Sequence, residues 1–195
     1  MQTEIEVKFV DIDIDDMRKR LQEAGATLAQ PMRLMRRQVF YLVDRNKDAY
    51  VRVRDEGDKA TMTYKWFDEI GLHGAKEVEV VVSSFEDARS ILQNSGLVPK
   101  SYQETRRETW YLNEAEVVID EWPWLRPFIE IEAGSEQIVR DAASVLGFDW
   151  SEAVFGAATE AYRQQYKDLP ADFIMDDVPE IKFDAPLPGR LKEEV

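Results

Sequence analysis

The chain opens by alternating charge and hydrocarbon residue by residue, Glu4-Ile5-Glu6-Val7-Lys8-Phe9. Successive side chains of a strand point to opposite faces. This stretch therefore reads as a strand with Glu4, Glu6 and Lys8 on one face and Ile5, Val7 and Phe9 on the other. Further strands are predicted near Arg37–Leu42 and at Tyr50–Arg54, Ala60–Phe67, Lys76–Val82, Gln103–Leu112, Glu116–Glu121 and Pro127–Ala133. Between them the apolar period changes to that of a helix. Met17, Leu21 and Ala24 form one stripe, behind an acidic cap at Asp11 or Asp13 and stopped by Gly25. Ala88, Ile91 and Leu92 form a second, starting at Ser84 with Asp87 three residues on and stopped by Gly96. Ser135–Leu146, ended by Gly147, and Ala158–Lys167 read as two more helices. Polar clusters at Asp44–Asp48 and Asp55–Asp58 predict turns, and Asp68–Gly74 a loop.

The order repeats itself. Glu4-Ile5-Glu6-Val7, a helix ending at Gly25, and Arg36-Arg37-Gln38-Val39-Phe40-Tyr41-Leu42 form one copy. Glu77-Val78-Glu79-Val80, a helix ending at Gly96, and Arg106-Arg107-Glu108-Thr109-Trp110-Tyr111-Leu112 form another. Two more strands follow in each copy, so the unit strand–helix–strand–strand–strand occurs twice. Eight strands are enough to close a sheet on itself. The expected fold class is α+β, an eight-stranded antiparallel closed β-barrel with helices packed outside. From Leu169 onward Pro170, Pro179, Pro186 and Pro188 stand among acidic residues, which predicts an extended tail laid on the body. The expected organisation is one domain over residues 1–168 and an acidic, proline-containing tail over 169–195.

Alternation alone does not decide which face of the strands is inside. Here like charges sit together along single strands: Glu4 with Glu6, Glu77 with Glu79, Glu130 with Glu132, Arg52 with Arg54. Taken singly, each pair reads most simply as a solvated strand face. Their repetition changes that, because like charges side by side destabilise a sheet face unless something of opposite sign lies between the strands. Carboxylates two residues apart stand about 6.5–7 Å from each other, a span for two anchors on one metal–anion assembly. Carboxylate pairs suit a hard cation such as Mg2+ or Mn2+, and arginine pairs suit phosphate or carboxylate. The third and fourth strands offer Arg52, Arg54 and Lys65, while the seventh and eighth offer Asp120, Glu130 and Glu132. With the charges inward, a basic wall faces an acidic one. Ile5, Val7, Val51, Val53, Val78, Val80, Ile129 and Ile131 then lie outside, beneath helices, the tail or a second subunit.

Composition narrows the chemistry. The chain has 195 residues, 44% hydrophobic and 33% charged, and a formal net charge of −14. So acidic a protein is repelled by nucleic acid and by anionic membrane surfaces, and an anionic ligand must be gripped by a local basic cluster. With no cysteine and His73 as the single histidine, thiolate chemistry, histidine-cluster metal sites and a Ser-His-Asp triad are set aside. No signal-peptide pattern and no long apolar run appears, so the expected location is cytoplasmic.

Taken in order, these motifs resemble the CYTH domain proteins, also called triphosphate tunnel metalloenzymes. The family's E-x-E-x-K matches Glu4-Ile5-Glu6-Val7-Lys8, its R-x-R strand Arg52-Val53-Arg54, and its Tyr-Lys strand Tyr64-Lys65. An E-x-E follows at Glu77-Val78-Glu79, a basic strand with an aromatic at Arg106-Arg107-Glu108-Thr109-Trp110, and an aspartate strand at Asp120. A closing E-x-E stands at Glu130-Ile131-Glu132, and a late helix carries Ala161-Tyr162-Arg163. The resemblance runs from Gln2 to about Lys167. It departs at Arg106, where the family often has lysine, and in the tail, which has no counterpart.

The resemblance implies a triphosphate held by Lys8, Arg52, Arg54, Lys65, Arg107 and Arg163. It implies Mg2+ or Mn2+ held by Glu4, Glu6, Glu130 and Glu132, with Asp120, Glu77 and Glu79 close by. Glu4 or Glu6 would orient the attacking water, with Lys8 in the same catalytic motif. The expected activity is metal-dependent hydrolysis of inorganic triphosphate or a small organic triphosphate. The alternatives are a class IV-type adenylate cyclase, making cyclic AMP and pyrophosphate from ATP, and a polyphosphate-binding module without turnover. A cyclase needs a base pocket, for which Trp66, Trp122 and Trp124 are the candidate stackers, although large aromatics more often pack. The expected partner is a small-molecule triphosphate, with no nucleic acid as main ligand, no membrane, and a homodimer left open.

Overall fold

The computed structural model describes residues 2–44, 49–67 and 75–191. The predicted loop Asp68–Gly74, with its His73, and most of the turn Asp44–Asp48 lie outside them. The chain is α+β, with four α-helices among the described residues and a nine-stranded sheet. The strands are β1 (Gln2–Val10), β2 (Thr27–Tyr41), β3 (Ala49–Asp55), β4 (Ala60–Phe67), β5 (Ala75–Val82), β6 (Val98–Leu112), β7 (Ala115–Glu121), β8 (Phe128–Ala133) and β9 (Glu180–Ile181). Their order is β2-β3-β4-β5-β1-β8-β7-β6-β9, and β2 also pairs with β6. All these pairings are antiparallel except that of β9 with β6. The join between β1 and β5 is short, Gln2–Glu4 against Ala75–Glu77.

The helices are α1 (Ile14–Glu23), α2 (Phe85–Asn94), α3 (Glu136–Val145) and α4 (Ala158–Gln165). Three begin where a short polar side chain can accept from a free backbone N–H. Asp13 accepts from Asp16, Ser84 from Asp87 and Ser135 from Ile138. The cap of α1 is thus Asp13 and not Asp11. Gly25 and Gly96 follow α1 and α2 with φ of 79° and 92°, a left-handed turn that costs glycine least.

Two strands are longer than the pattern suggested. β2 begins at Thr27 and β6 at Val98. In the first half of β2 the alternation is broken, and the ladder to β6 shifts register between Leu28 and Gln30 and between Gln30 and Arg33. Pro31 lies within the second shift, where a residue without an N–H is tolerated.

The apolar strand face is buried under helices, as expected, on most of the sheet. Val7 and Phe9 of β1, Val117 and Ile119 of β7, and Ile129 and Ile131 of β8 pack against Met17 and Leu21 of α1 and Val139, Ala142 and Ala143 of α3. Val53 and Phe40 pack against Phe85 and Ala88 of α2. Each such side chain contributes about 1.5–3 kcal/mol. Arg18 of α1 adds a charged clasp, its guanidinium 2.7 Å from the buried Glu108 of β6. Val78 and Val80 are the exception. They are 49% and 47% exposed, while Val82 at the end of β5 packs against the α2 cluster.

The residues after α4 fold back on the body. Phe173, Met175, Ile181 and Leu191 are buried with Trp122, Phe128 and Tyr162, and β9 pairs with β6 at Tyr102 and Gln103. Arg163 ties the segment down, donating to the carbonyls of Pro170 (2.9 Å), Ala171 (2.9 Å) and Phe173 (2.6 Å). We expect Arg163→Ala to cost about 1–3 kcal/mol and to speed proteolysis and amide exchange selectively in residues 169–191. Uniform exchange changes across the sheet would refute that role. Among the described residues no helix is long and apolar enough to cross a membrane.

Candidate functional site

The charged strand face lines a cavity of about 610 Å3. Into it come Glu6 and Lys8 of β1, Arg52 and Arg54 of β3, Lys65 of β4 and Glu77 and Glu79 of β5. Arg107 of β6, Asp120 of β7 and Glu130 and Glu132 of β8 complete the wall. The period of two therefore delivers almost every predicted residue to one space. Glu4 lies in β1 by its backbone, and its side chain is outside the described positions. Arg163 is a correction: it does not line the cavity, because its guanidinium is spent on the carbonyls of the C-terminal segment.

On the acidic side Lys8 is the centre. Its Nζ donates to Glu6 Oε1 and to Gly156 O, both at 2.8 Å, and stands 2.9 Å from Glu130 Oε2. An ammonium has three N–H donors, and these three acceptors use them. Lys8 thus holds carboxylates in place. Lys65 stands 3.9 Å from Glu6 Oε2.

On the basic side the arginines have orienting partners. Arg107 makes a bidentate pair with Asp120, at 2.7 Å from Nε and 2.6 Å from Nη2, and lies 3.5 Å from Glu130. Arg54 Nη2 stands 2.8 Å from Glu56 Oε1. Glu79 Oε2 accepts from Thr63 Oγ1 at 2.7 Å and lies 3.7 Å from Arg52 and 3.8 Å from Arg54. Asp120 and Glu79, expected near the metal, are engaged here with Arg107 and with Thr63, Arg52 and Arg54 respectively. Arg52 is held more loosely, by Thr63 Oγ1 at 3.3 Å, and its buried Nε has no hydrogen-bond partner.

The carboxylates fit Mg2+ or Mn2+ in kind, since hard cations take oxygen ligands. Glu6 and Glu132 face each other across β1 and β8 in the ladder, next to Lys8 and Glu130. Among the described residues, however, no three acidic or histidine side chains converge on one point. The Lys8 ammonium joins Glu6 to Glu130.

Burial and charge set the protonation of this pair. Burial would raise Glu130, but Lys8, Arg107 and Lys65 hold it well below its ordinary 4.5. Burial would lower Lys8, but Glu130 and Glu6 raise it above its ordinary 10.5. A depressed carboxylate contributes stability above its unfolded value and loses it as pH falls toward its folded value. A raised lysine contributes below its unfolded value and loses it as pH rises through its folded value. The pair thus predicts a stability plateau between about pH 4.5 and 10.5, with Glu130 contributing to the acid loss below it. Melting temperature against pH for wild type and Glu130→Gln tests this: the variant should lose less on acidification, and parallel curves would refute it.

Several further cavity residues, Arg33, Lys59 and Glu116 among them, escaped the sequence reading, and two of the set are both charged and buried. Arg37 of β2 is 8% exposed. Its Nη2 donates to Thr105 Oγ1 at 3.2 Å, its guanidinium lies 4.6 Å from the centre of the Trp122 ring, and its Nε has no hydrogen-bond partner. Burial, with Arg52, Arg54 and Arg107, pushes it down to about 9. Burial, with Arg52 and Arg107, likewise lowers Arg54 to about 10, against Glu56 and Glu79. The repeat carried the missed signal, since it aligns Arg37 with Arg107. Glu56 is the other. It is 4% exposed and holds Arg54 from the turn after β3, and a turn residue shows no alternation to find it by. The rings considered for base stacking also have occupants. Trp122 carries Arg37, Lys76 Nζ stands 5.0 Å from the Trp66 ring, and Trp124 Nε1 donates to Ala185 O at 3.0 Å.

The sheet of this α+β protein thus presents arginines and lysines opposite carboxylates in one cavity. The chain belongs to the CYTH family: the CYTH domain model matches residues 2–147. No curated protein matches it. Among solved structures it is similar to the PH1012 protein of Pyrococcus horikoshii OT3, with TM-score 0.67 and 23% identity over 77% of this chain and 93% of that one. It is similar to a candidate adenylate cyclase of Vibrio parahaemolyticus, with TM-score 0.71 and 12% identity over 82% and 97%. A third is a Hippeastrum protein described as a candidate adenylyl cyclase with a dominant triphosphatase activity, with TM-score 0.58 and 14% identity over 88% and 99%.

Proposed function

We propose that the protein hydrolyses inorganic triphosphate or a small organic triphosphate with the help of Mg2+ or Mn2+, the strands curling into a tunnel closed by the β2–β6 pairing. The observation that carries this is the gathering of Arg52, Arg54 and Arg107 in one cavity, close enough that burial and mutual repulsion lower Arg54 to about 10. So much positive charge asks for a multiply charged anion. Arg52, Arg54 and Lys65 bind non-bridging oxygens, and Asp120 fixes the fork of Arg107 for the same purpose. Glu6, or Glu4 beside it, accepts a hydrogen bond from the attacking water and aligns it with the scissile bond. Lys8 positions Glu6 and Glu130. Glu6, Glu130 and Glu132, with Glu4 and Glu77 available, would hold the cation, which would supply charge neutralisation and a more acidic bound water.

The Vibrio and Hippeastrum likenesses bring the cyclase reading with them. Hydrolysis is the better supported of the two, since the Trp122 and Trp66 rings already carry cations and offer no ready seat for adenine. Incubation with inorganic triphosphate, ATP and thiamine triphosphate, each with Mg2+ or Mn2+, tests the choice. We expect phosphate release that stops in excess chelator and in Glu130→Gln. Cyclic AMP with pyrophosphate from ATP would replace the hydrolase by the cyclase. Tight binding without turnover would leave a binding module.

A further inference from the structure

Arg37 is assigned to no ligand by the motifs, yet it is a buried base of the cavity. It is more than nine-tenths buried and lines the cavity beside Trp122. In the ladders it stands opposite Arg54 on β3 and opposite Gln103 on β6. Its guanidinium plane is fixed from one side by Trp122 and by a single hydrogen bond to Thr105 Oγ1. No carboxylate forms an ion pair with it among the described residues, although Arg33, Arg52, Arg54 and Arg107 each have one. Its Nε, which Arg107 uses on Asp120, is left without an acceptor. An unmatched donor on a buried charge is costly, and folding alone does not explain keeping it.

We infer that Arg37 is a direct binding residue for a terminal phosphoryl group of the triphosphate, seated at the end of the cavity bounded by Trp122, Phe128 and Asp176. This rests on the proposed function and extends it to a residue outside the family's motifs. A terminal phosphoryl group carries more charge than an internal one and offers three non-bridging oxygens. One of these meets the cavity side of the Arg37 guanidinium, through Nη1, since Nη2 is given to Thr105 and Nε is enclosed, and Arg54, its ladder neighbour, can reach another. The walls at this end fit that reading. Trp122 and Phe128, both of which line the cavity, belong to the buried cluster built with the C-terminal segment. Asp176, which also comes from that segment, is turned aside by Gln103 Nε2 at 2.7 Å, and this keeps its carboxylate off the guanidinium.

The test is titration with a nitrogen-bridged, hydrolysis-resistant inorganic triphosphate and Mg2+, using wild type, Arg37→Met and Arg37→Lys. We expect Arg37→Met to bind about 10- to 100-fold more weakly, with Arg37→Lys in between. The melting temperature of unliganded Arg37→Met should be equal to or above that of wild type, since a buried like charge is removed. In 15N-arginine-labelled protein the Nε–H resonance absent from Arg37→Met should shift on adding the triphosphate, because the guanidinium that carries it gains a charged partner. Equal affinities of wild type and Arg37→Met would overturn this inference alone. So would a lowered melting temperature with an unmoved resonance, which marks a structural role. Wild type that binds no triphosphate would overturn both this inference and the proposed function.

Discussion

Replacing Lys8 with methionine should destabilise the protein by about 3–5 kcal/mol, the usual cost of removing one partner from a buried charge pair. At this chain length that is a fall of roughly 6–20 °C in melting temperature. The ammonium is 3% exposed and serves Glu6, Glu130 and the Gly156 carbonyl at once. Methionine fills most of the volume but leaves two buried carboxylates facing each other. The double variant Lys8→Met/Glu130→Gln should recover part of the loss, because it removes one of those charges, and the recovery measures the coupling. Mg2+ should also narrow the loss in the single variant if Glu6 and Glu130 can share a cation. Urea or thermal unfolding decides the matter. A loss below about 1 kcal/mol, in the range of an exposed ion pair, would show that the Lys8 cluster is solvated and not a buried centre.

Arg52→Ala should give the opposite signature. Arg52 has one ion pair, a long one to Glu79 at 3.7 Å, and it burdens Arg37 and Arg54 with like charge. Its removal should leave unliganded stability unchanged or slightly higher. Triphosphate affinity should fall by about 30-fold or more, the usual consequence of truncating a buried charged contact to a ligand. In wild type, metal and a slowly hydrolysed triphosphate together should raise the melting temperature by more than the sum of their separate effects, after correction for metal bound to free triphosphate, because linkage is reciprocal. In Arg52→Ala that excess should shrink. Equal affinities for wild type and variant, or simple additivity in wild type, would count against an enclosed site where the charges are strongly coupled.

Much of this architecture is legible in one dimension. A strand's period of two needs no tertiary information, so Glu6 and Lys8 share a face wherever the strand lies, as do Arg52 with Arg54 and Glu130 with Glu132. The caps Ser84 and Asp13 and the stops Gly25 and Gly96 are equally local. Less legible were the early parts of β2 and β6, where bulges interrupt alternation and pairing with a distant strand supplies the order. Arg163 misled for another reason. A tyrosine–arginine pair on a late helix says nothing of whether the arginine faces the cavity or the segment that returns past it.

The sequence by itself determined the elements, the two charged faces and the set of side chains available to a triphosphate, because those follow from local backbone period and residue chemistry. Tertiary structure decided the roles within that set. It spent Lys8 on Glu6, Glu130 and Gly156, gave Asp120 to Arg107 and Glu79 to Thr63, brought Glu56 in from a turn, and left Arg37 buried with a free donor. Which charges neutralise each other depends on distances of about 3–4 Å between residues on neighbouring strands. Those distances are set by register and sheet curvature, which no single strand's pattern encodes.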